Sequence, residues 1–546
     1  MKKYFVCFAI FSCVSVSAQV DTIFTKQDSI RGSITKERSW WNLMKYDLKI
    51  EVVPSMQFIK GTNTISYQVL TSENRMQIDL QPPMQLLTAH QDNKALKFKR
   101  NGNAYSVFLE KTQRPGALES ITLSYEGHPK VAIKAPWDGG FTWTKDKEGF
   151  DFIATSCQGE GASLWWPCKD HMYDEPENGI EMHYTVPKHL TAVGNGQLVS
   201  VQENNSTNSK TYHWKVINPI NNYSVSLSLG NFVSFNEIFE GMSGPLTCSY
   251  YVLNYNLSKA KKQFKEVART LEALEHWFGP YPFYEDGYKL VETPFLGMEH
   301  QSSVSYGNGF QNGYNGYDLS GTGWGLKFDF IIVHETGHEW FGNNITNKDI
   351  ADMWIHESFT NYSESLFLEY HFGREAGNAY AIGLRKNIQN DIPVIGYYNV
   401  NNEGSGDMYY KGANMLHTIR QIIANDLEWR KLLRGLNSTF YHKVVTSEEI
   451  QSYMQTYSNT DLGPIFYQYL HTTDIPVFTY KIENNALLYR WEKCIDTFNM
   501  PIDVYINGNK SRITPSIEWN ALDYKTKIDS ITIDNNFYVN VQEKSN

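Results

Sequence analysis

The chain has 546 residues, of which 41% are hydrophobic, 14% aromatic and 20% charged. This composition excludes a disordered protein, and the length suits roughly two to four folded units, each with its own core. The formal net charge is -10, and no run of Lys or Arg is long enough to follow a phosphate backbone, which argues against nucleic acid or an anionic membrane as partner.

The N-terminus, MKKYFVCFAIFSCVSVSAQV, places Lys2 and Lys3 before an apolar run from Tyr4 to Val14, then Val16-Ser17-Ala18. That order of charged, apolar and small residues is the order of an export signal, so residues 1–18 are expected to be removed and the mature chain to be periplasmic or secreted. Loss of the two lysines takes the net charge from -10 to about -12. The apolar run is too short for a transmembrane segment, and no later stretch supplies one. Lipid attachment at Cys13 is disfavoured by bulky Phe11 ahead of it. Cys7 and Cys13 leave with the signal. The remaining Cys157, Cys168, Cys248 and Cys494 are too few to form a disulfide framework for this length, and Cys157 and Cys168 lack the companion pair of a zinc site. A disulfide between those two stays open.

From about Trp41 to Phe235 apolar and polar residues alternate, in YDLKIEVV, GTNTISYQVL, RMQIDL and ALKFKR-NGN-AYSVFL, where Asn101-Gly102 is a hairpin turn. The spacing predicts an N-terminal β domain over residues 19–240. From Ser258 the period becomes helical. Phe264, Val267, Ala268, Leu271, Leu274 and Phe278 form one stripe, with Ser258 as the expected N-cap and Gly279 as the stop. Helices are expected to dominate residues 241–472, including WIHESFTNYSESLFLEYHFG and KGANMLHTIRQIIAN. Past Pro476 the alternation returns in VFTYKI-ENN-ALLYRW, PIDVYI-NGN-KSRI and DSITID-NN-FYVNV, so three hairpins and a C-terminal β unit over 473–546 are expected. The fold class is multidomain α+β, in the order β, α-rich, β.

Within the helical part, FIIVHETGHEWFG puts His334 and His338 four residues apart, on one face of a helix, with Glu335 beside them. Two such histidines also occur on ordinary helices. A catalytic zinc needs a third protein ligand and an open position for water, and Glu357, after 18 intervening residues and near the start of the next helix, is the candidate. Two neutral imidazoles and one carboxylate keep a water whose pKa falls toward ~7. Glu335 would take its proton and then pass it to the departing amine, acting as base and then as acid.

Read together, HETGHEWFGNNIT and WIHESFTNY resemble the zinc aminopeptidases typified by aminopeptidase N and leukotriene hydrolase. LGMEH is similar to that family's GxMEN motif and puts Gly297, Met298 and Glu299 at the substrate site, with Glu299 on the carboxylate that holds a free α-amino group. Tyr409, in MYYKGANML, falls on the tyrosine that donates to the oxyanion. Gln158, in TSCQGEGASLWWPCKDHMYDEP, falls on the position that lines the amine and first side-chain pocket. The resemblance implies an N-terminal β-saddle, a thermolysin-like α-rich catalytic domain and a small C-terminal β-sandwich. It also implies one Zn2+ per chain and peptides with a free N-terminus as substrates. His300 replaces the family's Asn after Glu299, and a charge that changes with pH is expected there. His356 and Ser358 replace the usual Asn and Gly around Glu357, and Tyr410 stands in place of Glu. About 76 residues follow Leu470, so the large helical C-terminal domain of longer members looks absent. A thermolysin-like endopeptidase would share the zinc ligands, an epoxide hydrolase belongs to one branch of the family, and a non-enzymatic carbohydrate- or surface-binding β protein would suit the β-rich flanks and 14 tryptophans.

Overall fold

The computed structural model describes residues 23–544, so the expected export signal, with Cys7 and Cys13, lies outside the described residues. The alternating segments form an eight-stranded sheet centred on the strands Trp41–Val53 and Phe58–Val69. A register irregularity between Leu43 and Lys45 changes which residues face inward. Before it Trp41 and Leu43 are buried; after it Tyr46, Leu48, Ile50 and Val52 are. One extra residue in a strand reverses the side to which its neighbours point, and here it keeps apolar side chains inward on both sides of the bulge. The Asn101-Gly102 turn joins Lys97–Asn101 to Ala104–Phe108 as an antiparallel pair, with Gly102 at φ 61. Cys157 and Cys168, left open as a disulfide, are both free thiols buried in the core of this unit.

A five-stranded sheet follows, in the order Phe232–Gly241, Gly244–Leu253, Tyr288–Glu292, Val304–Tyr306, Gly297–Met298. Its first strand ends at the expected 240/241 boundary but pairs along its whole length with Gly244–Leu253. By pairing, that strand joins the second unit. Of the predicted stripe, Phe264, Val267, Leu271, Leu274 and Phe278 are buried and Ala268 is half-buried, and Gly279 stops the helix at φ 97. The single helix expected from Ser258 is instead two, Leu257–Gln263 and Lys265–Phe278, with Phe264 between them. Ser258 lies inside the first and caps nothing. The Phe264 ring is held among Tyr250, Tyr306 and Phe310, with centroids 5.3, 5.0 and 5.7 Å away, and this anchoring accompanies the break.

The C-terminal unit has two sheets, one of four strands and one of three. The first two predicted hairpins form. The third does not: Ile531–Ile533 pairs with Ile502–Ile506, whereas Asn540–Glu543 pairs in parallel with Val477–Glu483 in the other sheet. The chain crosses the sandwich between them, with Phe537 buried. Apolar residues of this unit, Phe478, Trp491 and Phe537 among them, share one continuous core with Trp354 and Leu416 of the helical part. Among the described residues no helix is long and apolar enough to cross a membrane.

Candidate active site

Asp329 caps the helix Phe330–Gly337 by accepting the Ile332 N–H, and His334 and Glu335 project from its last turn, with His338 at the C-cap still in helical conformation. The chain turns back through Ile345–Asn347 into the helix Trp354–Phe372, which carries Glu357 in its first turn. All four side chains are buried. Glu357 Oε2 stands 3.4 Å from His338 Nε2 and 3.7 Å from His334 Nε2, and no protein donor bonds it. A tetrahedral ion with ligand bonds of about 2.0–2.2 Å separates its donor atoms by about 3.3–3.6 Å. A buried carboxylate oxygen without a hydrogen bond, at that separation from two imidazole nitrogens, fits a zinc-sized ion.

The imidazoles are aligned for this task from behind. His334 Nδ1 lies 2.8 Å from Glu364 Oε1, and His338 Nδ1 lies 3.0 Å from the Phe341 carbonyl. Both partners only accept, so the protons sit on Nδ1 and both Nε2 lone pairs point to the cluster. Glu364 is in turn held by Asn361 Nδ2 at 2.9 Å and by the Tyr380 hydroxyl at 2.6 Å. Glu364 was missed in the sequence, although it stands seven residues past Glu357, two turns along the same helix face. Burial works against ionisation of Glu357, but His338 and His334 hold it well below the usual carboxylate range. Burial pushes Glu335 up to about 7, against the opposite pull of His334.

The strand Gly297–Met298 is the edge of the five-stranded sheet and passes directly over Glu335. A Cβ on Gly297 would come 2.6 Å from Glu335 Oε1 and 2.9 Å from Ile331 Cγ2, so only glycine admits this approach. Met298 is buried and lines the cleft. Glu299 follows, buried, with its backbone carbonyl anchored by Asn343 Nδ2 at 2.9 Å. Gln158, from the N-terminal unit, donates through Nε2 to Glu299 Oε1 at 2.7 Å and to Glu357 Oε1 at 3.1 Å. One carboxylate oxygen of Glu299, one of Glu335 and one ring nitrogen of His338 all lie within 4.8 Å of one another.

Tyr409 precedes the helix Tyr410–Ile423, and its ring centroid is 6.1 Å from that of His334. Burial, with Glu357, Glu299 and Glu403 around it, pushes its hydroxyl well above the ordinary tyrosine value, so it keeps its proton and can donate. Ser358 and Tyr409 are linked: Ser358 Oγ donates to the Met408 carbonyl at 2.7 Å, and a Cβ on Gly412 would come 1.8 Å from that hydroxyl. His356 Nε2 accepts the Asn347 N–H at 2.9 Å. His300 differs from expectation: burial pushes it down to about 3, and Nδ1 pairs with Ser305 Oγ at 3.1 Å, so it is uncharged near neutral pH rather than switching there. The predicted site residues line a cleft of about 610 Å³ that also includes Tyr410, Trp137, Tyr314 and Glu403. Glu403 lies on an irregular loop where no periodicity marked it.

Known proteins resemble this chain in sequence and in fold. The Peptidase M1 N-terminal domain matches residues 43–223, and the Peptidase family M1 domain matches residues 267–469. The chain is similar to probable aminopeptidase 2 of Sulfurisphaera tokodaii, 20% identical over 90% of this chain and 62% of that protein. It is also similar to leukotriene A-4 hydrolase of Xenopus laevis, 25% identical over 60% of this chain and 54% of that one. Aminopeptidase N of Lactobacillus helveticus is 23% identical over 79% and 51% respectively. The chain thus spans about half to three fifths of the length of these relatives. Among solved structures, an M1 zinc metallopeptidase from Deinococcus radiodurans shares the fold with a TM-score of 0.68, at 20% identity over 81% of this chain and 95% of that one. With both domain models matched in order, and the HExxH, glutamate, GxMEN-like and tyrosine positions gathered in one cleft, the chain belongs to peptidase family M1.

Proposed function

We propose that the protein is a zinc-dependent aminopeptidase that removes N-terminal residues from peptides. The observation that carries this reading is the closeness of Glu299 to Glu335 and His338, within 4.8 Å. A substrate whose α-ammonium group meets Glu299 has only its first carbonyl near Glu335. Cleavage after one residue follows, and an internal peptide bond would need the chain to pass through Glu299 and Gln158. That disfavours an endopeptidase.

His334, His338 and Glu357 would hold the zinc ion, which when bound would supply Lewis acidity toward the carbonyl and lower the pKa of water toward ~7. Glu335, buried beside the two histidines, takes the proton of the attacking water and returns it to the leaving amine. Tyr409 donates to the oxygen that gains charge as the carbonyl becomes tetrahedral. Gln158 bonds Glu299 of the amine site and Glu357 of the metal site, and so links the two carboxylates. The edge strand at Gly297 and Met298 offers backbone groups along which an extended peptide can lie. The residues 1–18 support action outside the cytoplasm, as a periplasmic or secreted enzyme.

The test compares free and N-acetylated peptides on wild type and Glu299→Ala. A hydrogen bond to a charged group is worth about 1.5–3 kcal/mol, or roughly ten- to more than hundredfold in kcat/KM. Wild type is expected to prefer the free peptide by at least that factor, and Glu299→Ala to lose most of the preference. Internal cleavage of acetylated peptides at the same rate would overturn the reading.

A further inference from the structure

The N-terminal sheet carries a second set of metal-ligating side chains outside the cleft. The strands Trp41–Val53, Ile180–Pro187 and Ser209–Val216 are neighbours in the eight-stranded sheet. Their register sets Asp47 opposite Glu181 and His183 opposite His213. Alternate strand residues point to one face, so all four share it. One donor atom from each of Glu181, His183 and His213 lies within 4.8 Å of the others. His213 Nε2 is 3.1 Å from Glu181 Oε2, His183 Nε2 is 3.6 Å from Asp47 Oδ1, and the two rings stack with centroids 4.1 Å apart.

The surrounding charges sort the carboxylate oxygens. Lys45 Nζ takes Glu181 Oε1 at 2.7 Å, and Lys49 Nζ is 3.6 Å from Asp47 Oδ2. The other oxygen of each carboxylate faces an imidazole, and Asp47 Oδ1 is buried without a hydrogen-bond partner.

We propose that this face binds a second divalent ion of the zinc and copper class through His183, His213 and Glu181, with Asp47 as the fourth donor. Two imidazoles with carboxylate oxygens suit Zn2+, Cu2+ or Ni2+, whereas Ca2+ and Mg2+ favour all-oxygen sets. The ion clips three adjacent strands together and stabilises the N-terminal unit by mass action. The ligands are partly open to solvent, and two lysines lie beside them, so the ion exchanges more readily than one in the buried His334, His338, Glu357 set.

The test is equilibrium dialysis of the zinc-loaded enzyme against rising ZnCl2, with ions per chain counted by mass spectrometry. Wild type is expected to take up one more zinc than His183→Ala or His213→Ala, and each substitution to weaken that uptake at least tenfold. Wild type is also expected to melt at higher temperature in added ZnCl2, with His183→Gln showing no such rise. Peptidase activity should be unchanged in these variants. His338→Ala should keep the extra ion, which separates this site from the catalytic one. Uptake of the extra zinc by His183→Ala and His213→Ala equal to that of wild type would overturn the proposal.

Discussion

Glu335 is the proton acceptor in the proposed reaction, and its surroundings set what each substitution is expected to do. In Glu335→Gln the side chain keeps its shape and its place beneath Gly297 but no longer accepts a proton. The variant is expected to retain zinc and lose at least ~10²-fold in kcat, checked by metal analysis beside steady-state kinetics. Tyr409→Phe removes a donor whose bond strengthens as the oxyanion forms, so kcat should fall ~10²-fold or more with KM little changed. Normal turnover in Tyr409→Phe would make it a packing residue. Ser358, in place of the family's glycine, bonds the Met408 carbonyl just before Tyr409. The departure therefore braces the segment that carries Tyr409, the proposed oxyanion donor, and takes away none of the side chains proposed to act in catalysis.

At the scale of elements, two helices bring three ligands together, and the second also supplies the group that orients the first histidine. Glu364 accepts from His334 Nδ1 while Asn361 and Tyr380 hold it in place. Partners behind metal ligands typically matter by 10–100-fold in metal affinity. Glu364→Gln keeps an acceptor but loses the charge, so zinc affinity should drop by about tenfold or more while the fold is kept, as measured by chelator competition and circular dichroism. Unchanged affinity would mean that the carboxylate only packs. The same helices were legible in sequence because residue pattern over a few turns is a local property. The break at Phe264 was not, because it accompanies rings on the segments around Tyr250, Tyr306 and Phe310 that are distant in sequence.

For the whole molecule, buried neutral histidines tie stability to pH. Burial pushes His171, His300 and His417 each down to about 3. The unfolded chain takes up these protons below ~6.5, whereas the folded chain does so only near pH 3, so the contribution of these histidines to stability is full above ~6.5 and is lost as pH falls toward 3. Each such histidine contributes a slope of up to ~1.4 kcal/mol per pH unit within that window. Buried Glu339 and Glu175, pushed up to about 8 and about 7, act in the opposite direction as pH falls, so the prediction is a difference: between pH 7 and pH 5 the melting temperature of wild type should drop relative to that of His417→Gln. Parallel melting curves for the two proteins would contradict this account. The single core shared by the catalytic and C-terminal units predicts that they melt together.

Hydrophobic period, hairpin turns such as Asn101-Gly102, and the spacing of His334, His338 and Glu357 are properties of short stretches, and each was readable before any fold was known. Gln158 and Glu299 were placed only through the family resemblance, since nothing local marks them. Their meeting, across 141 residues of sequence, depends on how the N-terminal unit docks on the catalytic one. The tertiary structure likewise decided that Cys157 and Cys168 stay free, that His300 is neutral, and that the last predicted hairpin opens across two sheets. The physical reason is common to all of these: burial, the electrostatic surroundings of a group and strand partnership are set by neighbours in space, and a one-residue irregularity such as that at Leu43 can change those neighbours without any change in local pattern.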